Sequence, residues 1–185
     1  MNIWLVSREY AGIAEAGGVK NVATSLCESL AKLSHKVTLF IPFYGCTDLS
    51  KVRECNPDLE NLPATIELCN KEEKVFFFTG FMNGVNIVFV KHPSFTEKKA
   101  VYTYTEEDEL KNPQHKKGQG HFDVNFLNTL FQKAVIKYGE LYCADSIPDV
   151  VHCQDAATAM VASYGYFSES FSKVKFVVTI HNAGP

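Results

Sequence analysis

The 185-residue sequence lacks three features that would point to particular partners or cofactors. Its formal net charge is −3 and its lysines and arginines are scattered, which argues against nucleic acid or an anionic membrane as a partner. No C-x-x-C pair occurs among its six cysteines, so neither a metal site nor a disulfide framework is expected. No apolar run approaches the roughly 18 residues of a membrane span.

Composition and the two ends of the sequence indicate which kind of protein this is. Residues 1–7 have no basic segment before an apolar core, so they do not read as a signal peptide. Together with cysteines expected to be reduced, this predicts a cytoplasmic protein. A hydrophobic content of 46% over 185 residues supports one domain, residues 1–185, rather than two. The last apolar strand is followed at once by the chain end, and we expect the sequence to be part of a longer chain.

Hydrophobic patterning predicts an α/β fold. Residues 2–7 form an apolar run typical of a buried parallel strand, residues 19–33 carry an amphipathic helical stripe, and residues 36–41 form the next strand. A second helix is predicted over 123–143, with Asp123 as its N-cap. The stretches PDVVHCQD, AATAMVASYGYF and KFVVTIH then read as strand, helix and strand. The pattern predicts a Rossmann-like, mostly parallel sheet with helices on both faces.

The middle of the chain has a different texture. The stretches ATIELCN, EKVFFFTGFMN and VNIVFVKHP are strand-like, and Asn83-Gly84 is a tight-turn signal between the last two. They predict antiparallel hairpins that are inserted in the main sheet or extend it. Residues 96–122 are polar with glycine and proline, and we interpret them as a long mobile loop.

Three turns are predicted to reach the carboxyl edge of the parallel strands, where open α/β sheets bind ligands. They are Ser7–Gly18, His152–Asp155 and His181–Gly184. Gly17 and Gly18 precede a helix, whose first amides form an anion site. The turn matches neither the dinucleotide fingerprint nor the P-loop.

Each of these features also has a purely structural explanation. The two glycines serve a tight turn equally well, Asp155 is a natural helix N-cap, and His181 could lie in the core. No arrangement typical of a serine or cysteine nucleophile is legible.

Taken in order, the stretches SREYAGIAEAGGVKNV, PDVVHCQD and VVTIHN resemble motifs of the amino-terminal domain of bacterial glycogen synthases and plant starch synthases. The resemblance extends through most of the chain. It implies the amino-terminal half of a GT-B fold and a retaining glucosyltransferase. That enzyme moves glucose from a nucleotide sugar, with ADP-glucose favoured, to the non-reducing end of an α-1,4-glucan. It implies no cofactor and no metal.

The family's functional residues carry over to named positions here. Gly17 and Gly18 match the glycines beside the diphosphate and glucose, and Asp155 matches an aspartate that lines the site. His181 and Asn182 match the motif whose histidine contacts glucose near the reacting centre, so His181 is the predicted catalytic residue. Ser7 and Glu9 match a serine-glutamate pair after the first strand, and Tyr102 matches loosely a tyrosine of the acceptor-side loop.

The sequence departs from the family pattern at two places. Glu15, a predicted substrate-binding position, stands where the family has a lysine, and a carboxylate next to a diphosphate should weaken binding. Lys20 follows close enough in the helix to compensate. The family's H-D-W-H stretch reads Gln154, Asp155, Ala156 and Ala157 here.

Three functions remain open on these residues: a divergent glycogen or starch synthase, a GT-B enzyme with another donor or acceptor, and a non-catalytic glucan-binding or regulatory homologue. A dehydrogenase is disfavoured by the missing dinucleotide fingerprint. Because GT-B sites form between two domains, we expect a carboxy-terminal domain as partner and no turnover by this chain alone.

Overall fold

One seven-stranded sheet runs through the described part of the chain, which is residues 1–58 and 62–182 of a computed structural model. The strands are β1 (Asn2–Val6), β2 (Lys36–Pro42), β3 (Leu62–Leu68), β4 (Lys71–Met82), β5 (Val85–Lys91), β6 (Val150–Gln154) and β7 (Lys175–Thr179). Across the sheet they lie in the order β3-β4-β5-β2-β1-β6-β7.

Six helices accompany these strands in the described residues. They are α1 (Val19–Lys32), α2 (Pro93–Thr96), α3 (Glu106–Lys111), α4 (Val124–Tyr142), α5 (Ala156–Ala159) and α6 (Val161–Tyr166), and a 3₁₀ turn spans Glu169–Phe171. Within residues 1–58 and 62–182, no helix is long and apolar enough to cross a membrane.

Five neighbouring strands, β5, β2, β1, β6 and β7, are parallel, and β3 and β4 continue the sheet antiparallel beyond β5. The β4–β5 hairpin turns through Asn83 and Gly84, which have φ of 50° and 85°, as the primed hairpin turns require. The predicted fold class is therefore confirmed. The hairpin region extends the main sheet at one edge.

The core is built on both faces of the central strands. Trp4 of β1 and Phe40 of β2 pack on one face against Tyr138 of α4, with ring centroids 6.2 and 5.3 Å away. Leu5 and Leu39 alternate to the opposite face and are also fully buried, where α1 packs on β2 and β5. Burial on both faces explains the continuous apolar runs of these strands.

Only some of the apolar residues in the stripe predicted over residues 19–33 are buried. Ala23 and Cys27 are fully buried, whereas Val22 is 44% and Leu33 69% exposed. Burial raises the pKa of the Cys27 thiol to about 12, so this cysteine acts as a small apolar core residue.

The interpretation of residues 96–122 as a mobile loop was wrong. The segment contains α3, which begins with a capping box formed by Thr105 and Asp108. Val101 is fully buried, and the ring of Tyr104 stacks on His115 with centroids 4.1 Å apart. Local capping and aromatic packing therefore give this polar stretch a defined structure.

The predicted N-cap of α4 is confirmed in position. Asp123 occupies it, but its side chain makes no hydrogen bond to the helix. Its carboxylate instead accepts from the ammonium group of Lys98 at 2.8 Å. Lys98 also binds Glu97, and these two bonds raise its pKa although burial opposes the shift most strongly. The buried cation takes the carboxylate that would otherwise cap the helix.

Candidate functional site

The connections after β1 and β6 leave the sheet in opposite directions. From β1 the chain passes through α1 to β2, and from β6 it passes through α5 and α6 to β7 on the other side. Neighbouring parallel strands whose connections diverge leave a crevice at their carboxyl ends, which is where open α/β sheets bind ligands. The turns after β1, β6 and β7 all reach this edge. Residues 183–184, the end of the third predicted turn, lie outside the described residues.

The turn before α1 closes around the side chain of Glu9, which is fully buried. One carboxylate oxygen accepts from the backbone amides of Ala16 and Gly17, at 2.9 and 2.6 Å. The other accepts from the hydroxyl of Tyr102 at 2.5 Å. The Gly17 amide, expected to be open to a ligand phosphate, is thus bound by a carboxylate of the chain itself.

Gly18 remains open at the start of α1. Among the residues that the structure describes, no side chain caps the helix there, and a Cβ placed on Gly18 would meet nothing within 4 Å. The anion-attracting end of a helix of 14 residues is therefore accessible at Gly18. Of the two predicted glycines, Gly18 is the one whose surroundings leave room for a ligand.

Arg8, which the sequence analysis did not identify, stabilises this turn through buried hydrogen bonds. Its guanidinium is buried and donates to the hydroxyl of Tyr44, to the side-chain oxygen of Asn128 and to the carbonyl of Val101. It also lies 4.9 Å from the ring centroid of Tyr102. The position of Arg8 directly before Glu9 was the one hint of this role in the sequence. The hydrogen-bond partners of Arg8 lie 36 to 120 positions away, so they could not be identified from it.

Tyr102 joins the 96–122 segment to the turn after β1. Burial and the hydrogen bond to Glu9 raise the pKa of its hydroxyl, so the group stays protonated and donates. The structure thus places Tyr102 against Glu9 rather than free on an acceptor-side loop.

Glu15 is held in place by two partners. One of its carboxylate oxygens accepts from the Gly12 amide at 2.6 Å, and the other pairs with the ammonium group of Lys20 at 2.6 Å. These contacts lower the pKa of the carboxyl, the Lys20 bond contributing most. Lys20, in the first turn of α1, thus pairs with Glu15 itself, and its compensation for the family's lysine stays a prediction.

The second and third turns meet through their side chains. The imidazole Nε2 of His181 lies 2.8 Å from the side-chain oxygen of Gln154. The imidazole Nε2 of His152 lies 2.7 Å from the hydroxyl of Thr179. Burial and the neighbouring His181 lower the pKa of His152. Two pairs of polar side chains therefore join the ends of β6 and β7.

Asp155 and Asn182 occupy the outer positions of these turns. Asp155 has φ of 67° and its carboxylate accepts from the amide of Ala156, which agrees with its structural explanation as an N-cap. Asn182 is exposed directly after His181. Neither side chain is buried.

The comparison with protein families decides which group of proteins this chain falls in. Residues 2–184 match the model described as the starch synthase catalytic domain. The chain belongs to this family. The resemblance drawn from the three motifs is thereby confirmed.

Individual members of the starch synthase family give the same picture. The glycogen synthase of Protochlamydia amoebophila is 29% identical over 98% of this chain and 33% of its own length. That of Koribacter versatilis is 26% identical over 100% of this chain and 35% of its own length. The chain thus spans about a third of the curated relatives it matches.

A solved member shares the fold. The catalytic domain of starch synthase IV from Arabidopsis thaliana, bound to ADP and acarbose, superposes with a TM-score of 0.80 at 22% identity. The match covers 98% of this chain and 34% of that one.

Proposed function

We propose that this chain is the amino-terminal half of a glycogen or starch synthase. The enzyme transfers glucose, with retention, from a nucleotide sugar to the non-reducing end of an α-1,4-glucan. The observation that carries the proposal is the family match over residues 2–184. It is supported by the crevice at the carboxyl edge of the sheet, where the three family motifs end. ADP-glucose is the favoured donor, because the starch synthase IV domain of the same fold was solved with ADP.

In this proposal the donor diphosphate lies at the start of α1. Gly17 shapes the turn and Gly18 provides the open helix end, which favours a negatively charged group. Lys20 stands in the first turn of the same helix and replaces the lysine that the family has at Glu15. The carboxylate of Glu15 orients that ammonium group and removes its own repulsion of the diphosphate by pairing with it.

The glucosyl group then lies at the ends of β6 and β7. His181, Asp155 and Asn182 line this part of the crevice, with His181 next to the reacting centre. Such a site must stabilise a positively charged glucosyl centre and a departing diphosphate, which fixed dipoles and charges do well. Tyr102 anchors the acceptor side, through Glu9, to the glycine turn.

A carboxy-terminal GT-B domain is the partner that completes the site. This chain spans about a third of the length of its relatives, and a site of this kind closes between two domains. The isolated chain is therefore proposed to be inactive. Its six unpaired cysteines support a cytoplasmic location, where thiols stay reduced.

The test is glucose transfer to glycogen, with ADP-glucose and UDP-glucose in parallel, by the protein at its natural length and by residues 1–185. We expect transfer from ADP-glucose by the longer protein and none by residues 1–185. Transfer by residues 1–185 would contradict the two-domain requirement. Absence of transfer from either donor by the longer protein would contradict the synthase proposal.

Specific observations favour two alternatives that the same assay separates. Glu15 at the family's lysine position and Ala156-Ala157 in place of its last two motif residues could reflect another donor or acceptor. They could equally reflect a non-catalytic homologue that binds glucan. Glycogen binding without transfer from any nucleotide sugar would support the non-catalytic alternative.

A further inference from the structure

Gln154 is a buried amide wedged beside the candidate catalytic histidine. It is the last residue of β6, and only 2% of its surface is exposed. Its side-chain oxygen is 2.8 Å from the Nε2 atom of His181. Its side-chain nitrogen has no hydrogen-bond partner among the described residues. A buried polar group that is only half satisfied is costly, which points to a role beyond packing.

The hydrogen bond determines which nitrogen of His181 carries the proton. An amide oxygen can only accept, so the Nε2 atom facing it must be the donor. In a neutral imidazole the other nitrogen, Nδ1, is then an acceptor. His181 is exposed, and among the described residues Nδ1 has no hydrogen-bond partner. The free acceptor is therefore available to a ligand hydroxyl.

An amide suits this task better than a carboxylate would. Gln154 does not titrate and carries no charge, so it orients the ring without favouring the imidazolium form. Neighbouring His152 is committed to Thr179 and does not compete for the same amide. The charged group next in the chain, Asp155, turns its carboxylate to the Ala156 amide.

We propose that Gln154 is a positioning residue that holds His181 in the Nε2–H tautomer and leaves Nδ1 to accept a hydrogen bond from a substrate hydroxyl. That a substrate hydroxyl binds to Nδ1 rests on the proposed function, in which the hydroxyl belongs to the glucosyl group. The tautomer itself is a property of this chain without substrate. It can therefore be measured independently of any transfer activity.

The experiment is imidazole nitrogen NMR of ¹⁵N-labelled residues 1–185 at about pH 8.5, where an ordinary imidazole is neutral. In the parent chain we expect His181 as the Nε2–H tautomer alone. In Gln154→Leu, which removes the acceptor at similar volume, we expect the two nitrogen shifts of His181 to move toward each other as both tautomers are populated. A parent chain with His181 protonated at Nδ1 would overturn the proposal without any variant.

Gln132→Leu is the matched control. Gln132 is also a buried glutamine, 3% exposed, and its side-chain oxygen accepts from the Met160 amide. We expect this variant to lose stability while the His181 shifts stay as in the parent. Equal His181 shifts in Gln154→Leu and the parent, or equal changes in both variants, would overturn the proposal.

A second measurement tests whether the Nε2–H tautomer of His181 contributes to glucose transfer. In the natural-length protein, Gln154→Leu should lower kcat by about tenfold, which corresponds to one lost hydrogen bond near the reacting centre. The KM for the nucleotide sugar should change less than twofold. If the parent protein transfers no glucose, the proposed function fails, while the NMR result still decides the tautomer.

Discussion

The carboxylate of Glu9 accepts a hydrogen bond of 2.6 Å from the backbone amide of Gly17. The glycine turn is thus closed by a side chain that belongs to the strand before it. The same carboxylate binds Ala16 and Tyr102, so one buried group joins three parts of the chain. Its loss should loosen the turn and the 96–122 segment together.

Glu9→Gln should destabilise the chain by about 1–3 kcal/mol, because an amide cannot satisfy all three donors and leaves a buried group unpaired. Urea unfolding measures the loss, and hydrogen exchange at the Ala16 and Gly17 amides should become faster. Glu72→Gln, on the exposed part of β4, is the matched control and should leave both unchanged. Slow exchange at both amides in Glu9→Gln would show that the carboxylate does not hold the turn.

Lys20→Met should weaken binding of ADP-glucose to the natural-length protein by about tenfold, because a charge-assisted contact to the diphosphate is lost. Lys32→Met, in the last turn of the same helix, is the control and should bind as the parent does. Isothermal calorimetry measures both affinities. An unchanged affinity in Lys20→Met would remove Lys20 from the proposed donor site.

Exchanging the charges of Glu15 and Lys20 tests whether the position of the lysine or only the presence of a positive charge in the turn matters for donor binding. The double variant Glu15→Lys, Lys20→Glu restores the lysine of the family pattern and keeps an ion pair in the turn. It should bind ADP-glucose within about threefold of the parent, while Lys20→Glu alone should bind more weakly than Lys20→Met because it adds repulsion. Equal affinity for the two single variants would argue against a diphosphate at this end of α1.

His181→Ala should lower kcat of glucose transfer by on the order of 10²-fold, the usual effect of removing one group that stabilises a charged transition state. The KM for the nucleotide sugar should change little. His35→Ala, in the turn before β2 and at the opposite edge of the sheet from the crevice, is the control and should keep the parent's kcat. A kcat for His181→Ala within twofold of the parent would exclude the proposed catalytic role.

His152 predicts a pH dependence of stability. Its pKa is lowered in the folded chain, chiefly by burial, so below about pH 6.5 the unfolded chain takes up a proton more readily than the folded one. The contribution of neutral His152 to the free energy of unfolding is therefore complete above that pH. It is lost as the pH falls through the folded-state pKa. Urea unfolding at pH 7.5 and 5.5 should show a smaller loss on acidification for His152→Gln than for the parent. An equal loss would contradict the assignment.

Much of the sheet could be predicted from local patterns alone. The apolar run of β1, the stripe of α1 and the Asn83-Gly84 turn each encode their structure within a few residues. Helix α3 was missed although Thr105 and Asp108 stand at capping-box spacing, because the surrounding polar tract outweighed that signal.

The contacts of the candidate site were less accessible from sequence. Glu15 and Lys20 are five positions apart, but Glu15 lies in the turn before α1, so no helical spacing predicts their pairing. Glu9 contacts residues 7, 8 and 93 positions away, and the bond from Gln154 to His181 needs the register of β6 with β7. Such long-range pairings depend on the complete fold, which no local pattern contains.

The place of β1 in the middle of the sheet has a consequence for how the chain folds as it is made. Its first partner, β2, follows within about 35 residues, but its second partner, β6, begins at Val150. The Asn2 amide bonds to the carboxylate of Asp149, 147 residues away. One edge of the first strand therefore stays unpaired until Val150–Gln154 have left the ribosome, and during that time it is exposed to pairing with other chains.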